Sequence, residues 1–352
     1  MGILRLFLAL TVLDWHYRYS DSIIFPHSFA AVCCFFIISG FYMSLVINEK
    51  YGTSSDGIGR FYLNRALRLY PIYVTVLAAF AITGALGITW RYGPFSPSAP
   101  MSPLDRLLSI FNQVLIFPNV LWQNFMLRPA PADNNLVLGQ MYTVGLEMMF
   151  YAVAPFLVTR RLRFLTALTL AAAGIHFGLH GLGLSSRPWQ YEFFPGVLVF
   201  FLLGCLSYRF LRVVRDWRYP KWVGFLTLPL FLFYGIWGHD ASTKDFTNGF
   251  KIDGLYLLTT LIIPFLFEAS KSVRWDHYIG NMSYPVYVVH FLIGFAMVGD
   301  PGTGSIEQNR SVLVVVMLAA FALLITIEYP IDLLRHRIGR VRHGGAVVAP
   351  VV

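Results

Sequence analysis

Charged residues are scarce in this chain. Asp, Glu, Lys and Arg make up 13% of its 352 residues, where hydrophobic residues make up 57% and the mean hydropathy is +0.61. Soluble domains usually carry about 25% charged residues. Because apolar segments recur along the whole length, this composition excludes a soluble protein with a single anchor. It predicts an all-α, polytopic transmembrane helical bundle.

Cysteine is also rare, with three residues that all lie in apolar stretches: Cys33, Cys34 and Cys205. This placement indicates neither a disulfide framework nor a cysteine metal site. His176 and His180 are four residues apart, which is a metal-ligand spacing on a helix, but the sequence offers no third ligand beside them. We therefore predict that the protein uses no metal.

The apolar segments predict about ten spans. They lie at roughly 3–20, 29–47, 70–89, 139–158, 164–182, 194–211, 221–238, 254–269, 283–299 and 312–330. The segment 104–118 is apolar, but it is shorter than the roughly 20 residues that a spanning helix needs. It also contains Asp105, Arg106 and Asn112. We interpret it as interfacial or re-entrant, followed by an exterior loop at 119–138.

The basic residues are distributed unevenly between the two sides of these spans. The formal net charge is +9, and 19 of the 27 Lys and Arg fall on one side if the N-terminus is cytoplasmic. This positive-inside pattern predicts cytoplasmic termini in a multi-pass protein of the cell inner membrane. It accounts for the charge without nucleic acid as a partner. Residues 1–335 would form the membrane domain and 336–352 a basic cytoplasmic tail.

The first apolar segment, MGILRLFLALTVLDWHYRYS, carries Arg5 and His16 eleven residues apart. On an α-helix, eleven residues advance about 16.5 Å and return to nearly the same face. One helix face would thus carry a cation near its cytoplasmic end and an imidazole near its far end. Ionisable groups inside a membrane helix are candidates for function. A signal peptide is the alternative, but Asp14 and His16 interrupt the segment and no small-residue cleavage site follows.

Two arginines precede the third predicted span, in RFYLNRALRLYP. Arg65 and Arg68 are three residues apart and share a helix face. We predict that they lie at the cytoplasmic N-terminus of a helix, where backbone N–H groups favour anions. Because arginine binds phosphate through paired N–H groups, we interpret the pair as a phosphate site. Plain positive-inside charge is the alternative explanation.

Polar residues inside the spans are further candidates. Glu147 lies near the bilayer centre in the fourth span, where an acid costs about 3 kcal/mol to insert. A structural ion pair and a catalytic role are both open for it. In the second span, Ser39 and Gly40 are small residues that admit either a neighbouring helix or a ligand.

The last two spans add three aromatic candidates and one acid. Tyr284, Tyr287 and His290 lie in the ninth span, and the last two share a face. A buried histidine there is either a structural hydrogen-bonding group or part of a site. Glu328, at the inner end of the last span, is predicted to pair with basic neighbours.

Taken in order, these motifs resemble the integral-membrane acyltransferase family called acyltransferase 3. The segments that match its patterns are Arg5 with His16, Phe35 to Phe41, Arg65 and Arg68 with Pro71, Tyr142 to Tyr151 with Glu147, Ser283 to His290, and Ile327 to Pro330. Three positions depart from the family pattern. Met148 stands where many members have a second acid, Tyr142 replaces a Trp, and Leu6 replaces a Gly.

The resemblance implies transfer of an acyl group, above all acetyl, from cytoplasmic acyl-CoA (acetyl-CoA) to a hydroxyl of a surface or exported carbohydrate. The roles that we assign are catalysis for His16 and Glu147, donor binding for Arg5, Arg65, Arg68 and Ser39, and acceptor binding for Tyr284, Tyr287 and His290. His16 would act as general base or as nucleophile. We favour the base, because an imidazole is mostly neutral at pH 7.

A transporter and a glycosyltransferase are the alternatives to this function. A transporter or flippase for an anionic or lipid-linked substrate would use the intramembrane Glu147, His16 and His290 as a proton relay. The chain shows no inverted repeat and no matching pair of broken spans, which disfavours it. A membrane glycosyltransferase would need a large loop with acidic residues, which the sequence lacks. The expected partners are the lipid bilayer and a carbohydrate acceptor, and a homo-oligomer is compatible with them.

Overall fold

The fold is helical throughout the part of the chain that the structure describes. This computed structural model describes residues 1–20, 28–89, 138–184, 192–217, 219–237 and 250–338, with residues 104, 111, 113–116 and 189. Every regular element in these ranges is a helix. Seven of the described helices are long and apolar enough to cross a membrane. The predicted all-α polytopic bundle is confirmed, whereas the count of ten spans and the cytoplasmic termini stay predictions.

Eleven α-helices follow one another in the described ranges. They are α1 (Gly2–His16), α2 (Ser28–Val46), α3 (Ser55–Ala85), α4 (Tyr142–Leu157), α5 (Leu162–Gly181), α6 (Phe194–Asp216), α7 (Lys221–Trp237), α8 (Phe250–Ser270), α9 (Arg274–Met297), α10 (Ile306–Leu323) and α11 (Tyr329–Ile338). A π-helical turn extends α2 over Ile47–Tyr51, and another joins α10 to α11 over Leu324–Glu328. The predicted spans at α1, α4 and α7 have only 15, 16 and 17 residues.

Helices α1, α3 and α9 run in the same direction and begin at the same end of the bundle. A Cβ built on Gly280 would lie 2.7 Å from Gly2 Cα, and one on Gly294 would lie 2.0 Å from the Tyr17 ring. These close approaches hold α1 against α9 at both ends. We call the end where the three helices begin the basic end, and the end that carries His16 the histidine end.

Helices α2, α4 and α8 run the opposite way. Helix α8 ends at Ser270, four residues before α9 begins at the basic end. The contacts that align the other two helices with it are Cys34 with Thr259, Phe41 with Phe267, Ser39 with Glu147, and Asn48 with Val158. Since α3 and α4 therefore run in opposite directions, the chain between them makes no net crossing of the bundle.

The basic side chains gather in one half of the bundle. Of the Lys and Arg at described positions, all but Arg18, Lys251 and Arg310 lie in the half toward the basic end. This is the distribution that the positive-inside rule predicts for a cytoplasmic half. The structure thus groups the basic residues as the sequence predicts, and the orientation in the membrane stays a prediction.

The third helix corrects one prediction. A helix N-terminus at Arg65 and Arg68 is wrong, because α3 begins at Ser55, where the Ser54 side chain caps its first turn. Both arginines lie in the interior of a 31-residue helix that also contains Pro71. Membrane helices tolerate proline where neighbouring groups satisfy the freed backbone. The backbone amides at the start of α3 therefore lie about three turns before Arg65 and do not adjoin the two arginines.

Residues 113–116 lie against the middle of α3. The Tyr70 hydroxyl donates to the carbonyl oxygen of Leu115 at 3.0 Å, and the Tyr73 hydroxyl donates to that of Gln113. The interfacial or re-entrant interpretation of 104–118 stays a prediction. The rest of that segment, and residues 119–137 of the predicted exterior loop, lie outside the described residues.

The predicted boundary between the membrane domain and the tail, at residue 335, falls within α11 and stays a prediction. Helix α11 continues to Ile338, three residues into the predicted tail at 336–352. Its apolar residues before that point extend the last span, so the helix does not stop where the charges become dense. The remainder of the tail, 339–352, lies outside the described residues.

Candidate active site

A cavity of about 230 Å³ lies in the basic half of the bundle. Along α9 it extends from Asp276 to Tyr287, and eleven residues of helix correspond to about 16 Å. Its charged and amide-bearing lining residues are Arg5, Lys50, Asn64, Arg65, Arg68, Glu147, Lys271, Asp276, Asn281, Asp332 and Arg335. Apolar side chains, among them Val32, Phe35 and Val144, also line it. The cavity therefore combines a cationic region with an apolar one.

Two of the lining arginines keep their guanidinium groups available to the cavity. In the described part of the chain, neither Arg5 nor Arg65 forms an ion pair. Arg65 Nη2 donates to Asn64 Oδ1 at 2.9 Å, and its Nε has no partner among the described residues. Arg5 is placed by the start of α1, where the Gly2 N–H donates to Asp276 at 2.8 Å. An anion is the complement of this pair.

Arg68 has a different environment from Arg65. Its Nη1 pairs with Glu328 Oε1, and the two side chains are 12% and 2% exposed. Arg335 Nη1 lies 3.7 Å from the same carboxylate oxygen and also pairs with Asp332. The predicted pairing of Glu328 with basic neighbours is confirmed. The Arg68 charge is therefore largely balanced within the protein.

Ser39 and Gly40 divide between the two roles that the sequence left open. Gly40 packs on α6, because a Cβ built there would lie 2.0 Å from the carbonyl oxygen of Phe201. Ser39 instead lines the cavity and donates to Glu147 Oε1 at 2.5 Å. The hydroxyl of Tyr151 donates to the same oxygen at 2.6 Å. Glu147 is thus held by two hydroxyls, and none of the described residues forms an ion pair with it.

The two tyrosines of α9 line the cavity and bond to neighbouring elements. The Tyr284 hydroxyl donates to the carbonyl oxygen of Leu69 on α3 at 2.8 Å. The Tyr287 hydroxyl donates to the carbonyl oxygen of Gln140 at 3.1 Å and lies 2.7 Å from Thr143 Oγ1. The Tyr287 ring contacts Phe35 edge-on, with centroids 6.4 Å apart. Tyr287 is the lining residue of α9 that lies nearest to His290 along the helix.

His16 and His290 meet one helical turn beyond Tyr287, at the histidine end. Their rings are stacked, with centroids 5.5 Å apart and an interplanar angle of 27°. Phe291 contacts both rings, at 4.7 and 4.8 Å. Both Arg5 and His16 thus face α9, as the eleven-residue spacing predicts. Neither histidine is among the described residues that line the cavity.

Asp14 is close to His16 in sequence, but its carboxylate does not orient the imidazole. Its Oδ1 accepts hydrogen bonds from the backbone N–H groups of Tyr19 and Ser20, at 3.2 and 3.1 Å. The carboxylate therefore fixes the turn that follows α1. This agrees with its position on a different helix face from His16.

Several residues of the site were missed by sequence reasoning. Asp276, Asn281 and Gln140 are polar residues at or near the start of a span, and this was the signal that could have found them. From the sequence, Lys50 and Arg335 belong only to the basic residues that indicate the orientation in the membrane. Their position in the cavity depends on how α2 and α11 pack, which no local pattern shows.

His176 and His180 lie on α5, and His176 contacts the neighbouring helix α6. His176 Nδ1 lies 2.8 Å from the carbonyl oxygen of Gly196 at the start of α6. Across the described ranges, no group of three or more His, Cys, Asp or Glu could hold a metal ion. The spacing of His176 and His180 thus finds no further ligand in those ranges.

Comparison with known proteins gives one match that covers nearly the whole chain. Residues 3–329 match the acyltransferase domain of the acyltransferase 3 family. No curated protein and no solved structure matches the chain. The matched region contains all the motifs from Arg5 to Glu328 and every element that lines the cavity up to the start of α11. The chain therefore belongs to the acyltransferase 3 family of membrane O-acyltransferases.

Proposed function

We propose that the protein transfers an acyl group from cytoplasmic acyl-CoA to a hydroxyl of a surface or exported carbohydrate. Acetyl is the preferred acyl group. The observation that carries this proposal is the course of the cavity. It begins beside Arg5 and Arg65, which form no ion pair with a described residue, and extends about 16 Å along α9, to one turn short of the His16–His290 pair. A nucleotide with an extended thioester arm has this combination of charge and length.

Arg5 and Arg65 would bind the phosphates of the donor. Both are cationic, both line the cavity, and neither is neutralised by a described carboxylate. Guanidinium groups make short, charge-assisted bonds to phosphate oxygens. Arg68 would contribute mainly by keeping Glu328 paired, so that no uncompensated acid faces the donor. Ser39 would lie beside the arm of the donor, since its hydroxyl lines the same cavity.

His16 would act as the general base. It takes the proton of the acceptor hydroxyl while the hydroxyl oxygen attacks the thioester carbon. The C–O bond forms, the C–S bond breaks, and the protonated His16 returns its proton to the leaving sulfur, so that CoA leaves as a thiol. Glu147 stays the second catalytic candidate. Both hydroxyls that bind it donate to Oε1, and no described residue donates to Oε2. A carboxylate oxygen in this state can accept from the donor or hold a proton.

The replacement His16→Ala tests this proposal. Loss of a general base should lower the transfer rate by about 10²-fold or more. Expression, insertion and acyl-CoA affinity should be unchanged, because the described lining of the donor cavity does not include His16. The measurement is transfer of labelled acetyl from acetyl-CoA to cell-envelope glycans, normalised to folded protein. Transfer at the normal rate by His16→Ala would refute the assignment.

A second measurement separates the base from the nucleophile. Wild-type protein is incubated with labelled acetyl-CoA while the acceptor is withheld. A base mechanism leaves the protein unlabelled, since no bond to the enzyme forms. Label on His16 would instead show that the imidazole carries the acyl group between two half-reactions.

A further inference from the structure

The imidazole of His290 presents an acceptor nitrogen that none of the described residues uses. The residue is 1% exposed, and its Nδ1 lies 2.7 Å from the carbonyl oxygen of Tyr287. A carbonyl oxygen only accepts, so Nδ1 carries the hydrogen. In the neutral ring Nε2 then holds a lone pair. This atom is buried and has no partner among the described residues.

Gln140 repeats this arrangement beside it. The side chain is 3% exposed, and its Nε2 donates to the carbonyl oxygens of Tyr287 at 3.3 Å and Val288 at 3.0 Å. Two carbonyl partners fix which amide atom is the nitrogen. Gln140 Oε1 must therefore point away from them, and within the described ranges it is buried without a donor.

Both side chains are thus anchored through their N–H groups on one carbonyl oxygen, that of Tyr287. A buried acceptor without a donor costs about 1–3 kcal/mol, and most buried polar groups in proteins are paired. Two such acceptors, on side chains that both donate to the carbonyl oxygen of Tyr287, indicate a binding site where a ligand supplies the hydrogen-bond donors. The ring of His16, which stacks on His290, is partly exposed.

We propose that Gln140 Oε1 and His290 Nε2 form a two-point site for the hydroxyl groups of the acceptor. Each atom accepts one O–H, so the matching ligand carries two hydroxyls, as sugars do. Ionised phosphates and carboxylates have no hydrogen to donate here, whereas the arginines of the basic half would bind such groups. This inference rests on the proposed acyl transfer and adds the chemistry that selects the acceptor. By fixing two hydroxyls, the site sets which one meets His16.

The test uses the full-length protein in a strain that lacks its own copy. Ester-linked acyl groups are released from the envelope glycans by mild alkali, and NMR locates the esterified hydroxyl. His290→Asn keeps a donor near the Nδ1 position and removes Nε2, whereas His290→Gln places an amide near Nε2. Gln140→Met keeps the length of the side chain and removes the oxygen.

We expect His290→Asn and Gln140→Met each to lower the ester content per folded protein about tenfold, which corresponds to one lost hydrogen bond. The remaining ester should spread over more than one hydroxyl. His290→Gln should keep the wild-type position. A purely structural role would lower the amount of folded protein and leave the position of the ester unchanged.

The control is Thr169→Val on α5, which removes a buried polar atom away from the site; among the described residues, this hydroxyl bonds only to the carbonyl oxygen of Leu165, at 2.7 Å. It should leave both the amount and the position of the ester unchanged. If wild type adds no ester at all, the proposed function fails. If wild type adds ester and both His290→Asn and Gln140→Met match it in amount and position, the acceptor site alone is refuted.

Discussion

Arg65 and Arg68 lie three residues apart on α3, yet the structure predicts opposite consequences for their loss. Replacing Arg68 by Gln leaves the carboxylate of Glu328, 2% exposed, with Arg335 at 3.7 Å as its remaining cation. Breaking a buried ion pair costs about 3–5 kcal/mol when the other charge is left alone. Because Arg335 remains, we expect about 2–3 kcal/mol of lost unfolding free energy. The double variant with Glu328→Gln removes both charges and should recover most of this loss.

Arg65→Gln is the matched control for that experiment. In the described part of the chain Arg65 forms no ion pair, so its unfolding free energy should change by less than about 0.5 kcal/mol. Its acyl-CoA affinity should fall by about tenfold or more, since a charge-assisted hydrogen bond contributes about 1.5–3 kcal/mol. Arg65→Lys should recover only part of the affinity, because lysine lacks the planar fork.

The assay is equilibrium unfolding in mixed SDS micelles, followed by acyl-CoA binding to the folded protein. The reasoning would be refuted if Arg68→Gln unfolded like wild type and only its acyl-CoA affinity fell. In that case the ion pair with Glu328 would contribute no stability, and Arg68 would belong with Arg65 among the donor-binding residues.

Two further predictions concern packing and topology. Gly40→Ala should lower the free energy of unfolding by about 1–3 kcal/mol, because its Cβ would lie 2.0 Å from a backbone oxygen of α6. Gly174→Ala on α5 is the control and should not destabilise the protein, since nothing lies within 4 Å of the added Cβ. Single cysteines introduced at Asp56 and Asp216 should be labelled only from the cytoplasmic side, and one at Thr303 only from outside. Outside labelling at Asp216 would contradict cytoplasmic termini.

Local periodicity predicted the parts of the site that lie on one helix. The spacing of Arg5 and His16 implies a shared face, and both residues face α9. The same holds for Tyr287 and His290, three residues apart on α9. These predictions succeed because the helical repeat depends only on the backbone, whatever the tertiary packing.

Contacts between helices could not be predicted in this way. The sequence gives no reason why Glu328 should pair with Arg68 rather than with a nearer cation, since their positions are 260 residues apart. The start of α3 was also missed, because the residues from Ser55 to Arg68 are too polar to be read as a span. A long helix can leave the apolar layer and continue, and hydropathy records only the part inside it.

Two helices, α1 and α9, set the distance between the basic end and the histidine end. Along α1, Arg5 and His16 are eleven residues apart; along α9, the cavity also covers eleven residues, from Asp276 to Tyr287. Because both helices rise 1.5 Å per residue and run in the same direction, their residues stay level over about 16 Å. Close glycine contacts at both ends prevent one helix from sliding along the other. A thioester arm anchored at the arginines would therefore end at a fixed depth, one turn short of the histidines, a precision that loops do not give.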